Sequence, residues 1–265
     1  MKTVFHPVYK RGNWAIPYMV FMALFVVLPL LLIAVYAFRD NDGGFTLQNF
    51  AKFITQSETI NTFIYSIGIA IITTALSILI GYPAAYILSN SELNRSKTLV
   101  MLFILPMWIN ILMRSLATVA LFDFLNLRLG EGALIFGLVY DFLPFMIYPI
   151  YNTILKIDKS YIEAAQDLGA NRFMVFKRII LPLSAPGVIS GIMMVFLPTI
   201  STFAISEILT LNTKRLFGSI IQDNIMLSDK MNYGAALSLI MLLIIAATTL
   251  FGKENKENIQ EGQFI

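Results

Sequence analysis

The chain has 265 residues, 57% of them hydrophobic and only 13% charged, with a formal net charge of +3. Soluble domains carry about 25% charged residues, so this composition excludes an ordinary water-soluble fold and points to a chain dissolved in a bilayer. With no cysteine and a single histidine, His6, it also excludes disulfides, thiolate metal sites and histidine clusters.

A helix needs about 20 apolar residues to cross a hydrocarbon core. Blocks of that kind run from Trp14 to Phe38, Asn61 to Leu88, Thr98 to Leu121, Gly132 to Leu155, Ser184 to Ser206 and Asn232 to Gly252. They are continuously apolar rather than alternating, which selects helices over barrel strands. The predicted class is all-α: a polytopic membrane protein whose six transmembrane helices fill residues 14–252, with tails at 1–13 and 253–265. The first block is longer than a signal-peptide core and no small-x-small cleavage site follows it, so it is expected to be retained. Between the first two blocks, "RDNDGG" reads as a turn. "FTLQNFAKFITQ" reads as a short surface helix with Phe45, Leu47, Phe50, Phe53 and Ile54 on one face.

Basic residues orient the spans. Lys2, Lys10, Arg11, Arg95, Lys97, Lys156, Lys159, Arg172, Lys177, Arg178, Lys253 and Lys256 outnumber Arg39, Lys52, Arg128, Lys214, Arg215 and Lys230 on the alternate side. The positive-inside rule therefore places both termini, and the loop 156–183, in the cytoplasm. Asn94-Arg95-Ser96 matches a glycosylation acceptor but falls in a cytoplasmic loop, where it reads as chance. The end "GKENKENIQEGQF" is polar enough to read as disordered.

The loop carries "EAAQDLGANRFMVFKRIILP", residues 163–182. Ser160 and Glu163 have the spacing of a capping box that starts a short helix through Ala164, Ala165 and Leu168. Gly169 suits its left-handed end and Asn171 can cap a second helix. On that helix Phe173, Phe176 and Ile180 share one side, while Arg172, Lys177 and Arg178 reach water. Pro182 ends it or bends it into the fifth span. On these residues alone, an ordinary capped loop helix is an equal alternative.

Glu163-Ala164-Ala165, Gly169, Ile179 and Leu181-Pro182 fill every position of EAA-x3-G-x9-I-x-LP, and so the loop resembles the coupling loop of ABC importer permeases of the binding-protein-dependent, MetI-like family. "GYPAAYIL", "LPMWINILMRSLA" and "GLVYDFLPFMIYPIYNTILKIDKSYIEAAQDLGANR" are further similar to the permeases of spermidine/putrescine importers. The resemblance implies a bacterial inner-membrane subunit that is not itself an enzyme. It would work with a second homologous permease, a cytoplasmic ABC ATPase dimer and an external polyamine-binding protein, in membrane lipid and without nucleic acid. ATP and Mg would be held by the ATPase, and this chain has no Walker A loop of its own. Glu163, Ala164, Ala165, Asp167, Gly169 and Arg172 are the implied ATPase-coupling residues. The sequence departs from the family in its short connection from Phe122 to Glu131 and in the polar tail.

For a polyamine path the natural partners are carboxylates and aromatic faces: Asp141 and Glu207 by charge, and Trp108, Tyr140 and Tyr148 by cation–π attraction. Arg114 and Asp141 are charges inside spans and must face the interior, water or each other. Their pairing across neighbouring helices is the open alternative, as is Trp108 packing at the membrane boundary. Glu207 and Asp223, with Lys214 and Arg215, are candidate contacts for the binding protein. Prolines and glycines in the spans, among them Pro83, Pro106, Pro144, Pro149, Pro198 and Gly191, mark bends that are either hinges or static kinks. A permease for another small solute, or a secondary transporter, remains the alternative class. An embedded enzyme would need convergent His, Cys or carboxylate groups, which the spans lack.

Overall fold

The computed structural model describes residues 15–40, 42–90, 98–226 and 230–262, with side chains through 250. The readings placed on the N-terminal tail, including His6, and on Asn94-Arg95-Ser96 lie outside the described residues. Regular structure among the described residues is helical, apart from one antiparallel bridge between Arg39 and Phe45. That bridge closes the predicted turn, in which Asp40 N donates to Gly44 O (2.8 Å), Gly43 N donates to Asp40 O (3.0 Å) and Gly43 adopts φ +87°.

Among the described residues twelve helices follow in order: α1 (Ile16–Ala37), α2 (Gln48–Thr55), α3 (Ser57–Ser89), α4 (Thr98–Trp108), α5 (Ile111–Phe124), α6 (Glu131–Ile154), α7 (Lys159–Asp167), α8 (Arg172–Leu183), α9 (Ala185–Ser201), α10 (Ala204–Thr210), α11 (Phe217–Met226) and α12 (Met231–Gly262). Four helices are long and apolar enough to cross a membrane: α1, α3, α6 and the Met231–Leu250 part of α12. Counting each of two bent pairs as one span, α4 with α5 at 99° and α8 with α9 at 60°, gives up to six among the described residues. The third predicted span is thus broken, while the 60° bend falls at Ser184, where the fifth predicted span begins; that span is interrupted at 202–203, between α9 and α10. Pro106 lies three residues before the first break, and Pro198 near the break between α9 and α10, where each removes a backbone donor that would otherwise extend the helix.

Lipid tails are as apolar as leucine, so helices in a bilayer associate through close packing of small residues rather than through burial from water. Here α6 is the hub. It packs against α3 and α9, and α3 against α9. Met146 on α6 is fully buried where the three meet, with Gly81 of α3 on one side and Gly191 of α9 on the other. One turn along α9, Gly187 lies against the Pro149 carbonyl and Thr153 of α6. A side chain at either glycine would push these helices apart.

A second cluster joins α3, α9, α11 and α12 around Phe217, whose ring meets Phe53 of α2 and Phe63 edge-on. Ser66 of α3 accepts a hydrogen bond from Phe217 N (2.8 Å), supplying the partner that the first amide of a helix lacks. Next to it, Gly218 is pressed against the backbone carbonyls of Ser201 and Thr202, where α9 ends. The first span is the most detached. It touches the bundle mainly through Ile33, Tyr36 and Ala37 against Ala235, Ala236 and Leu239 of α12.

Two expectations are corrected. The surface helix α2 does not present one apolar face. Phe50 and Phe53 pack inward while Phe45, Leu47 and Ile54 are exposed, because Asn49 is the buried residue, donating to the carbonyls of Ala37 and Arg39. And α12 continues as helix to Gly262 instead of ending in a disordered tail. Extending a formed helix fixes one residue per added hydrogen bond, and Lys, Glu and Gln are good helix formers.

Candidate functional site

The loop between the fourth and fifth spans is two helices joined at a glycine. Asp158, not Ser160, caps α7: its carboxylate accepts from Ser160 N (3.0 Å), so the helix begins one residue before Ser160 and the predicted capping box is not formed. Aspartate is as good an N-cap as serine and stands earlier in the chain. The hydrogen bonds from Ser160 hold the Asp158 carboxyl below the usual aspartate range.

At the other end, Ala170 N donates to Ala165 O (2.9 Å) and Gly169 N to Gln166 O (2.9 Å), the paired closure of a Schellman motif with Gly169 at φ +83°. A Cβ at Gly169 would meet nothing within 4 Å. The glycine is needed for its backbone angle alone. Asn171 then caps α8 through Met174 N (2.8 Å), as predicted.

Within α8, residues Phe176–Ile180 form a π turn. Phe173, before the wider turn, is 72% exposed instead of sharing the inward side with Phe176 and Ile180. Phe176 packs edge-on against Tyr82 (5.9 Å) and Tyr86 (5.2 Å) of α3. At the 60° bend, the fully buried Ser184 meets the Tyr82 hydroxyl at 2.7 Å and donates to Leu181 O. The loop is therefore exposed on one side and bolted to the bundle on the other. Glu163, Ala164, Asp167, Gly169 and Arg172 are exposed and Ala165 is half-buried. Tyr161, Leu168 (90% exposed) and Phe173 add apolar surface that the motif does not single out. A cleft of about 430 Å³ separates α7 from the bundle, with Glu163, Lys159 and Arg172 on one wall and Tyr86 and Ile154 on the other.

Deep in the bundle, Arg114 of α5 and Asp141 of α6 do pair, Nε to Oδ1 at 3.3 Å, with 4% and 0% of their side chains exposed. Tyr140 lies beside them, its ring centroid 5.9 Å from the guanidinium carbon. Ser115 Oγ is 3.3 Å from Asp141 Oδ2. The other path candidates are not gathered here. Trp108 is 86% exposed at the end of α4, Tyr148 is exposed farther along α6, and Glu207 is partly buried on α10. Among the described residues no side-chain hydrogen bond, ion pair or ring contact links these three to the pair.

At the end of α3 far from the α7–α8 loop is a polar cavity of about 650 Å³, with Lys52, Glu58, Lys230 and Tyr233 among its lining residues. Arg215 and Asp223 line it too, but bind each other at 2.9 Å, and Lys214 lies over the Tyr65 ring at 5.7 Å.

Comparison with known proteins decides the family. Residues 77–253 match the model of the binding-protein-dependent transport system inner membrane component. The chain belongs to that family. Its members are inner-membrane transport components, and this one is a multi-pass inner-membrane protein of that kind. Among its relatives, the spermidine/putrescine transport system permease protein PotB of Haemophilus influenzae is 34% identical over 251 residues, covering 85% of this chain and 86% of that protein. PotB of Escherichia coli K12 is 32% identical over 252 residues, covering 86% and 91%. Solved ABC transporters share the fold. The bacterial alginate ABC transporter in complex with an alginate-bound periplasmic protein superposes with a TM-score of 0.70 over 94% of both chains at 16% identity. The MetNI methionine transporter gives 0.65 over 76% of this chain and 95% of that one at 13% identity.

Proposed function

We propose that this chain is a permease subunit of an ATP-driven polyamine importer, taking spermidine or putrescine from an external binding protein. The similarity to PotB permeases over most of both chains supports the substrate class. What carries the mechanism is the α7–α8 loop, exposed along Glu163–Arg172 and tied to α3 through Phe176, Tyr82 and Ser184.

In this reading the loop faces the cytoplasm, and α7 seats in a cleft of a separate ABC ATPase. Small side chains at Ala164 and Ala165 permit close approach, while Glu163, Asp167 and Arg172 supply polar contacts and Leu168 and Phe173 apolar ones. ATP, with Mg, is bound and hydrolysed on that ATPase, and this chain contributes motion only. Closure of the ATPase dimer drags α7. The Gly169 closure keeps α7 and α8 at a fixed angle, and the Ser184–Tyr82 contact passes the displacement to α3 and α9. A second homologous permease completes the path, to which this chain contributes Trp108, Tyr140, Asp141, Tyr148 and Glu207.

The test is reconstitution in lipid with the second permease, the ATPase and the binding protein, followed by solute-stimulated ATP hydrolysis. Stimulation by spermidine or putrescine is expected. Stimulation by a different small solute alone would move the chain to another importer of the same family.

A further inference from the structure

The Arg114–Asp141 pair is incompletely bonded for a buried ion pair. The two charges touch at 3.3 Å, yet Arg114 Nε, Arg114 Nη1 and Asp141 Oδ1 make no hydrogen bond. Ser115 is no firm partner for the other oxygen. Its hydroxyl has a single proton, and the Ile111 carbonyl at 3.0 Å is nearer than Asp141 Oδ2 at 3.3 Å. A structural pair at this depth should have its remaining donors and acceptors filled, because each unfilled one adds a desolvation penalty that attraction alone does not offset. Here the carboxylate retains acceptor capacity and the guanidinium retains donors.

The geometry around the pair has the chemistry of an alkylammonium site: a carboxylate, a hydroxyl oxygen and a tyrosine face. Tyr140 links it to the outside, since it lies beside the guanidinium and is itself 40% exposed. Arg114 is at a break in its span. It stands within the first turn of α5, which starts after the 99° break from α4, while α5 is held to α6 farther along by the Phe122–Phe136 ring pair at 5.5 Å.

We propose that Arg114 is a tethered stand-in for substrate: it keeps Asp141 neutralised while the path is closed, and one ammonium group of the polyamine replaces it when α5 separates from α6. This deepens the polyamine reading and rests on it. Exchange of one cation for another keeps the buried carboxylate paired throughout, and the displaced Arg114 leaves with α5. The occupant is specified as a primary or secondary ammonium on a flexible chain. A neutral or anionic solute would have nothing to offer Asp141 in exchange for Arg114.

The experiment uses the full complex and measures uptake of labelled spermidine together with the amount of assembled complex. Asp141→Asn and the double change Arg114→Gln with Asp141→Asn should each lower uptake about ten-fold or more per assembled complex. A purely structural pair predicts the opposite for the double change, since removing both charges together spares the bundle. Double-variant uptake within two-fold of wild type would overturn the proposal. Should the pair variants not assemble, Tyr140 decides: Tyr140→Leu should raise the half-saturating spermidine concentration about three- to ten-fold and Tyr140→Phe leave it unchanged. Equal values for the two would overturn it. A wild-type complex that carries another solute but no polyamine removes the functional reading and this site with it. Wild-type polyamine uptake with an indifferent double variant removes the site alone.

Discussion

The Tyr82 hydroxyl of α3 and the Ser184 hydroxyl at the α8–α9 bend lie 2.7 Å apart and are buried. This contact joins the end of the exposed loop to the core of the bundle. Tyr82→Phe removes it while keeping the ring against Phe176, and is expected to cost about 1 kcal/mol. The larger effect should be on coupling: more ATP hydrolysed per solute carried. Ser184→Ala should do the same, and the double variant should add nothing further, which a double-mutant cycle on the transport-to-hydrolysis ratio checks.

Gly169 separates backbone from packing effects. With φ +83° and open space where a Cβ would stand, any substitution is felt through the backbone angle only. Gly169→Ala should cost about 1–2 kcal/mol locally, and Gly169→Asn less, because asparagine tolerates the left-handed region. Protein yield and overall thermal stability should stay near wild type while solute-coupled hydrolysis declines in the order Gly, Asn, Ala, Val. Loss of the folded bundle at Gly169→Ala would contradict this.

Gly218 predicts the reverse. A Cβ there collides with the backbone carbonyls of Ser201 and Thr202, which cannot swing away as a side chain would. Gly218→Ala should sharply reduce the amount of folded protein extracted in mild detergent. Gly68→Ala, where nothing lies within 4 Å, serves as the matched control and should be neutral.

Asp158 sets a pH dependence for the start of α7. Its carboxyl titrates below the usual aspartate range because the charged form accepts the hydrogen bonds of Ser160. A depressed folded value means that the cap is fully stabilising above the ordinary aspartate range, about 3.9, and is lost as pH falls through the lower folded value. Amide exchange at Ser160 should quicken over that acid window and not between pH 5 and 8. Asp158→Asn should abolish the acid step.

Breaking the buried pair on one side should be costly. Arg114→Gln leaves the Asp141 carboxylate buried without a counter-charge, a situation worth about 3–5 kcal/mol, and the double change with Asp141→Asn should recover most of that stability. Thermal melts of the purified complex follow both. A single variant as stable as wild type would mean that Asp141 is reached by water.

The sequence makes the spans legible because a bilayer imposes one length on every apolar run, and the helices long enough to cross a membrane fall within the predicted blocks or extend them, whereas α11 lies in none. It makes the loop legible because Gly169 and Asn171 act through their own backbone and neighbouring amides. What it hides depends on packing at a distance. Pro106 and Pro198 signal bends, yet the 99° between α4 and α5 is an arrangement in which α5 packs against α10, far along the chain, as well as α6. Helical periodicity does not foresee the π turn at Phe176–Ile180, nor that Phe173, just before it, is exposed. Composition shows that Arg114 and Asp141 need shelter. Only the contact between α5 and α6 shows that they find it in each other, and that Trp108, Tyr148 and Glu207 lie elsewhere.

Because the chain has no cysteine, a single Leu168→Cys change places one thiol on the 90% exposed tip of α7, and its reactivity tests the proposed mechanical role directly. A membrane-impermeant maleimide should label it in inside-out vesicles stripped of the ATPase, fail to label it in intact cells, and lose access when the ATPase is added back. Labelling from outside intact cells, or labelling indifferent to the ATPase, would contradict a coupling loop gripped by a cytoplasmic motor.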